Sequence, residues 1–350
     1  MTKWELLRLI SGWLAPSRWQ EPLPAPASPP QWEGIIEASS NKLVTPLLAW
    51  RLREAGWVER DAAAYLSAVL ELNRRRNHLL VDGLALALDA LAAAGIEPLL
   101  LKGADMLATG LYPEPGCRFV GDLDLLFRED QLEEASRTLA GAGFLPTGPA
   151  LPSVTHQLRP HVHETLQVGL DLHRYPLREH LQPLLDTRSA FAAAEAITVR
   201  GRRALRLEAT HRAITSIAHG QIVDGLGRVG IPELRRLIDL AVLGERDAID
   251  WPALQRRFAA AGHAGLLADV LRMADHLLGF APAGLRLGSD EGLRRAERTI
   301  NRTLLPRIAA SLRATLPLAP RLLRKRPREI IRTLGWRAWQ QRLQWFSPRW

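Results

Sequence analysis

The opening residues of the chain place Trp4, Leu7, Ile10 and Leu14 at helical spacing, which predicts a short amphipathic helix over residues 1–15. A proline-rich stretch from Pro16 to Pro30 follows and reads as an extended connector. From Trp32 to about Gly95 the pattern is helical again. A long segment starts near Arg60, with a break expected around Asp82-Gly83. The texture then changes. Ile96 to Leu101 is a compact apolar run ending at Lys102-Gly103, the pattern of a buried strand. Ala104 to Tyr112 suits a short helix, and Pro113 to Gly116 forces a turn. Phe119 to Phe127 alternates acidic and apolar positions as a strand does. Glu129 to Ala142 reads as a helix ended by Gly141 and Gly143. The runs around His161-Val162-His163 and Val168 to His173 form a potential hairpin, and from Leu181 to about Gly279 the pattern is mostly helical.

The fold class expected from this order is α+β: a small mixed sheet flanked by N- and C-terminal helical regions. The divisions are residues 1–84 (helices and the Pro-rich connector), 85–178 (the mixed core), 179–300 (C-terminal helices) and 301–350 (a tail). Composition supports the helical bias, since Leu, Ala and Arg dominate while Ile, Tyr and Phe are sparse. No run of about 18 uncharged apolar residues predicts a membrane span. The N-terminus, interrupted by Glu5 and Arg8, does not read as a signal peptide. The single cysteine, Cys117, excludes an intramolecular disulfide and a cysteine-cluster zinc site. A reduced, cytoplasmic setting is the simplest expectation.

The net charge of +9 changes the picture less than its size suggests. Residues 302–350 hold twelve Arg or Lys and one Glu, so the remainder of the chain sums to −2. Basicity is therefore a property of the tail, and general nucleic-acid binding is disfavoured. Within the tail Trp336, Trp339, Trp345 and Trp350 interleave with Arg332, Arg337, Arg342 and Arg349, a composition suited to a membrane surface, an acidic partner or nucleic acid, and equally to a basic helical cap whose tryptophans pack back on the body.

The candidate chemistry lies in the mixed segment. Alternation along a strand points Asp122 and Asp124 to one face, about 6.5–7 Å apart, with Leu123 and Leu125 directed to the core. Asp171, between Leu170 and Leu172, supplies a third carboxylate if the two strands are neighbours. Three clustered carboxylates repel one another, and a divalent cation is the usual remedy. Mg²⁺ favours oxygen ligands plus substrate phosphates, which points to phosphoryl or nucleotidyl transfer. In the strand-turn-helix at Leu101 to Asp105, Gly103 permits close approach of a phosphate, and Lys102 and Arg118 are candidate counter-charges for a triphosphate.

The order LLLKGADML, RFVGDLDLLF, a helix, then LDLHRYPL resembles the DNA polymerase beta-like nucleotidyltransferase superfamily, and most closely the bacterial family labelled uncharacterised nucleotidyltransferase. The resemblance implies a nucleotidyltransferase core fold and transfer of an NMP group from an NTP to an acceptor, using Mg²⁺ or Mn²⁺. It makes Gly103 the turn glycine, Asp122 and Asp124 the metal pair, and Asp171 the residue that helps deprotonate the acceptor hydroxyl. It also implies a helical C-terminal region, to which residues 219–243 are similar. One position departs from the pattern: Ala104 stands where Ser or Gly is usual, so no hydroxyl there binds phosphate.

The acceptor is a small molecule, peptide or protein that the sequence does not select. His173, His219 and Asp239 are candidates for its pocket, although buried helical polars of this kind are more often satisfied in the core. His161 and His163 share a face, but without a cysteine cluster or an HExxH helix zinc is disfavoured. The competing reading is a binding or scaffold protein, or an antitoxin-like partner, on a degenerate nucleotidyltransferase fold.

Overall fold

A computed structural model describes residues 1–148, 156–223 and 232–302; the tail, and part of the 219–243 stretch, lie outside the described residues. The N-terminal helix α1 (Lys3–Leu14) begins with a reciprocal cap, in which the Thr2 hydroxyl accepts from the Glu5 N–H and the Glu5 carboxylate accepts from the Thr2 N–H. Its predicted stripe is buried, Trp4, Leu7, Ile10 and Leu14 all facing inward. Helices α2 (Trp32–Asn41) and α3 (Thr45–Leu52) pack beside it.

Helix α4 (Arg60–Ala93) runs without interruption through Asp82-Gly83. The expected break is absent because Gly83 is a packing residue: a Cβ there would lie 2.8 Å from Val168 Cγ2. A single glycine costs a helix only about 1 kcal/mol, and here it lets α4 lie close against the sheet.

The sheet is α+β in character, with seven strands among the described residues: β1 (Leu99–Leu101), β2 (Leu123–Leu126), β3 (Phe144–Pro146), β4 (His161–His163), β5 (Val168–His173), β6 (Glu195–Val199) and β7 (Arg202–Arg206). Their spatial order is β3-β4-β5-β2-β1-β7-β6. The predicted β4–β5 hairpin is present. Strand β2 runs antiparallel to β1 and parallel to β5. It is shorter than the expected 119–127, because the carbonyls just before it bond to α4 instead of to a strand. The amides of Asn73 and Asn77 donate to Gly116, Pro115 and Arg118, and the Arg76 guanidinium donates to Val120 and Gly121.

Strands β6 and β7 interrupt the mostly helical stretch expected after Leu181. Their two-residue turn, Arg200-Gly201, has φ of 49° and 81°, the doubly positive geometry of a tight hairpin. Arginines on both faces of β7 obscure the alternation, and the strands are recognisable only by the pairing of β7 with β1 and of β6 with β7.

Helix α5 (Lys102–Ala108) follows β1 directly, α6 (Leu132–Gly141) joins β2 to β3, and α7 (Thr187–Ala192) precedes β6. The remaining helices are α8 (Ala209–Ala218), α9 (Leu234–Arg246), α10 (Trp251–Ala260), α11 (Ala264–Leu278) and α12 (Asp290–Arg302). Between α8 and α9 the chain opens a π-turn from His219 to Val223. Two cores result. Leu100, Leu123, Leu125, Leu170 and Leu172 pack with α6 and the second half of α4. Leu99, Leu101 and Leu126 point the opposite way, into the core shared by α1–α3, the first half of α4 and α8–α12. No helix among the described residues is long and apolar enough to cross a membrane.

Replacing Gly83 by Ala pushes a methyl into the stiff, fully buried Val168 and is expected to destabilise the fold by about 1–3 kcal/mol. A thermal melt checks this, and in the Gly83→Ala/Val168→Ala protein the glycine substitution should add little to the cost of Val168→Ala alone.

Candidate active site

The parallel register of β2 and β5 sets Asp124 opposite Asp171 and Leu126 opposite His173. With β2 and β5 side chains alternating, Asp124, Asp171 and His173 share the face turned toward the C-terminal helices. One ligand atom from each of these three residues lies within 4.8 Å of the other two. Asp122, expected as half of the metal pair, stands just ahead of β2 and outside this tight group, and His173 takes its place within it. Asp122 remains close enough for the charge of Asp124, after burial, to push its carboxyl pKa up.

Asp124 is 6% exposed and held on two sides. The Lys102 ammonium donates to its Oδ1 at 2.5 Å, and His173 Nε2 lies 2.8 Å from the same oxygen. Burial opposes its charge, but Lys102 and His173 outweigh burial and keep it ionised far below the ordinary carboxylate range. Asp171 has no such cation of its own. Burial, reinforced by Asp122 and Asp124, pushes it up to about 8. Residues 156–158 cross the end of β5 and add Gln157, whose amide donates to Asp171 Oδ2 at 3.4 Å. They also bring His156, whose ring lies 5.6 Å from that of His173. Burial, with His173 and Lys102 beside it, lowers His156 to about 4. His173 is fully buried, and its Nδ1 has no hydrogen-bond partner among the described residues.

Lys102 reaches Asp124 from a left-handed backbone, φ 49°, a conformation uncommon in residues other than glycine and found at sites where the surroundings impose it. Gly103 is also small for a reason the sequence did not suggest. A Cβ there would meet Val120 Cγ1 at 2.7 Å, so the close approach it permits is that of the loop leading into Asp122. Ala104 is fully buried.

Two expected site residues are engaged with each other. Arg118 is 4% exposed and does not face the carboxylates; its Nε and Nη2 donate to the two oxygens of Asp239, both at 2.8 Å, and its Nη1 to the Phe119 carbonyl. Asp239 is fully buried and also accepts from the Tyr112 hydroxyl at 2.6 Å. The pair instead ties the loop before β2 to α9. His219 opens the π-turn and is buried. Burial, followed by Lys102 and Arg236, keeps it neutral. His161 and His163 are structural, on Ser136 and against Phe144 respectively.

Sequence reasoning missed Asn73, Arg76 and Asn77. The signal was present, since Asn73 and Asn77 continue the stripe of Leu66, Leu70, Leu80 and Leu84 along α4. Buried amides on an apolar stripe must have partners, and theirs are the carbonyls ahead of Asp122.

The sequence model of a family described as uncharacterised nucleotidyltransferase matches residues 28–279, more than two thirds of the chain. The chain belongs to that family. The match spans every strand of the sheet and all the acids of the site. As a nucleotidyltransferase family member with a buried Asp-Asp-His group, it fits a metal-dependent transferase. No curated protein and no solved structure matches the chain.

Two measurements test the site's electrostatics. Because folding raises the pKa of Asp171, its ionised form destabilises the native state. Stability is therefore lost as pH rises from the ordinary carboxylate range to about 8 and levels off above. The melting temperature of Asp171→Asn relative to the parent should rise across that window and then flatten, while saturating Mg²⁺ raises the parent alone. Arg118→Met strands the Asp239 charge and should cost about 3–5 kcal/mol in denaturant unfolding, with Arg118→Met/Asp239→Leu costing less.

Proposed function

We propose that this chain transfers an NMP group from an NTP to a hydroxyl or phosphate of its acceptor, on a fold of the DNA polymerase beta-like nucleotidyltransferase superfamily. The observation that carries the reading is the pairing of Asp124 with Asp171 in register on neighbouring strands, with Lys102 and His173 on the Asp124 carboxylate. Two carboxylates and an imidazole within 4.8 Å, one carboxylate raised to about 8 by burial and by its acidic neighbours, form a donor set that gains from a divalent cation.

Asp124, Asp171 and His173, with Asp122 at the edge, would hold Mg²⁺ or Mn²⁺. When bound, the ion supplies charge neutralisation on the donor's phosphate oxygens and polarises the attacking oxygen. The chain's own groups do the rest. Asp124 stays ionised at all working pH, and Lys102 offers an ammonium beside it. Asp171, raised toward neutrality, is suited to take the proton from the acceptor hydroxyl. His173 fixes the orientation of Asp124, and the α4 amides fix the loop bearing Asp122.

Calorimetric titration with each NTP plus Mg²⁺, on the parent and on Asp122→Asn/Asp124→Asn, tests the reading. Metal-dependent binding by the parent alone is expected, with loss of transfer activity by at least about a hundredfold in the variant. Failure of the parent to bind any NTP would sink the NTP-donor reading.

A further inference from the structure

One oxygen of Asp124 carries two contacts. The Lys102 ammonium sits on Oδ1 at 2.5 Å, and His173 Nε2 lies on the same atom at 2.8 Å. A carboxylate oxygen has two lone-pair sites, so a further cation joins Oδ1 only by displacing one of these contacts. A cation on the other oxygen would still share a single negative charge with the ammonium. The side chains of Lys102 and Asp124 are 14% and 8% exposed, so water and salt screen that repulsion little.

Of the two contacts, His173 is the fixed one. It is fully buried in β5 and belongs to the ligand group itself. Lys102 ends a flexible four-carbon stem with three rotatable donors, set at the junction of β1 and α5. It is the contact that can give way. A released ammonium also has somewhere to go. Of the two counter-charges expected for a triphosphate, Arg118 is bound to both oxygens of Asp239, so that role falls to Lys102.

We propose that Lys102 is a built-in competitor for the divalent ion, displaced from Asp124 when the ion binds and then received by the phosphates that arrive with it. Lys102 thereby couples the two ligands. Free metal must break the Lys102–Asp124 bond unaided, whereas metal carried by a polyphosphate gives the ammonium a new partner. Read from the chain alone, Lys102 is a phosphate contact; its competition with the metal comes from the geometry. The part played by the phosphates rests on the proposed transfer reaction, and the competition at Asp124 does not.

Mn²⁺ is the probe, its binding followed by calorimetry and by the electron paramagnetic resonance signal of the free ion. Lys102→Met should bind Mn²⁺ alone about tenfold more tightly than the parent. That gain should vanish or reverse when the Mn²⁺–NTP complex is titrated instead. Displacement has a readout of its own, because Lys102 is one of four lysines in the chain and acetylation of its peptide is easily followed by mass spectrometry. Saturating Mn²⁺ should speed acetylation of Lys102 in the parent by about fivefold or more, and Asp124→Asn should react as fast without metal. Lys102→Met that binds Mn²⁺ no more tightly than the parent overturns the proposal, as does acetylation that Mn²⁺ leaves unchanged or slows. If Lys102→Met does not fold, judged by circular dichroism, the acetylation of the parent decides. Should the proposal fall while the parent still binds the Mn²⁺–NTP complex, the transferase reading stands. Tighter Mn²⁺ binding by Lys102→Met and metal-released acetylation, in a protein that binds no NTP, uphold the competition and remove the transferase reading.

Discussion

Everything at this site follows from the parallel pairing of β2 with β5, which places the Asp124 and Asp171 backbones one strand spacing apart, about 4.8 Å. Two carboxylates on one face at that spacing cannot both ionise cheaply in a buried setting. The chain answers with asymmetry. Lys102 and His173 both commit to Asp124, while among the described residues Asp171 receives the amide of Gln157. Two chemically identical side chains thereby acquire opposite tendencies, one firmly charged and one poised near neutrality.

That asymmetry depends on how Lys102 is delivered. It sits at the junction of β1 and α5, where the backbone must turn from extended to helical in one residue, and it does so with a positive φ. Such a conformation costs about 1–3 kcal/mol and persists only where the surroundings over-determine it. Val120 against Gly103, Arg76 on the Val120 and Gly121 carbonyls, and the α4 asparagines supply that determination. Two buried ion pairs then fix the helices over the sheet: Arg118 with Asp239 ties the β2 loop to α9, and Arg212 with Asp105 ties α8 to α5. Ion pairs of this kind add little net stability over an apolar contact, but they penalise every alternative docking that would leave a charge unpaired.

Much of this was legible in the chain. Strand alternation assigns Asp124 to one face and Leu123 and Leu125 to the core without knowledge of any neighbour, and the helical spacing of α1 reads directly as its buried stripe. The carboxylates, Lys102 and the β4–β5 hairpin were likewise readable from local order. What periodicity cannot encode is which strands meet. The β6–β7 hairpin has arginines on both faces of β7 and a left-handed Arg200 in its turn, so neither strand nor turn announces itself, and yet β7 extends the sheet beside β1. Arg118 shows the same limit for charges. An arginine four residues before an aspartate looks like a counter-charge for substrate, and only the position of α9 reveals that Asp239 has claimed it.

The contrast between Arg118 and Arg236 shows how one buried acid serves two cations. Both lie close to Asp239, and both are largely buried. Arg118 bonds both carboxylate oxygens at 2.8 Å, so little is left on that acid for Arg236, which stands off at 3.6 Å. One carboxylate thus serves as partner to one arginine and as a distant counter-charge to another. The second is kept in place by charge but left with donors to give. Lys102 stands in a different relation to its acid, bonded to Asp124 Oδ1 at 2.5 Å and so part of the machinery that sets that carboxylate's charge.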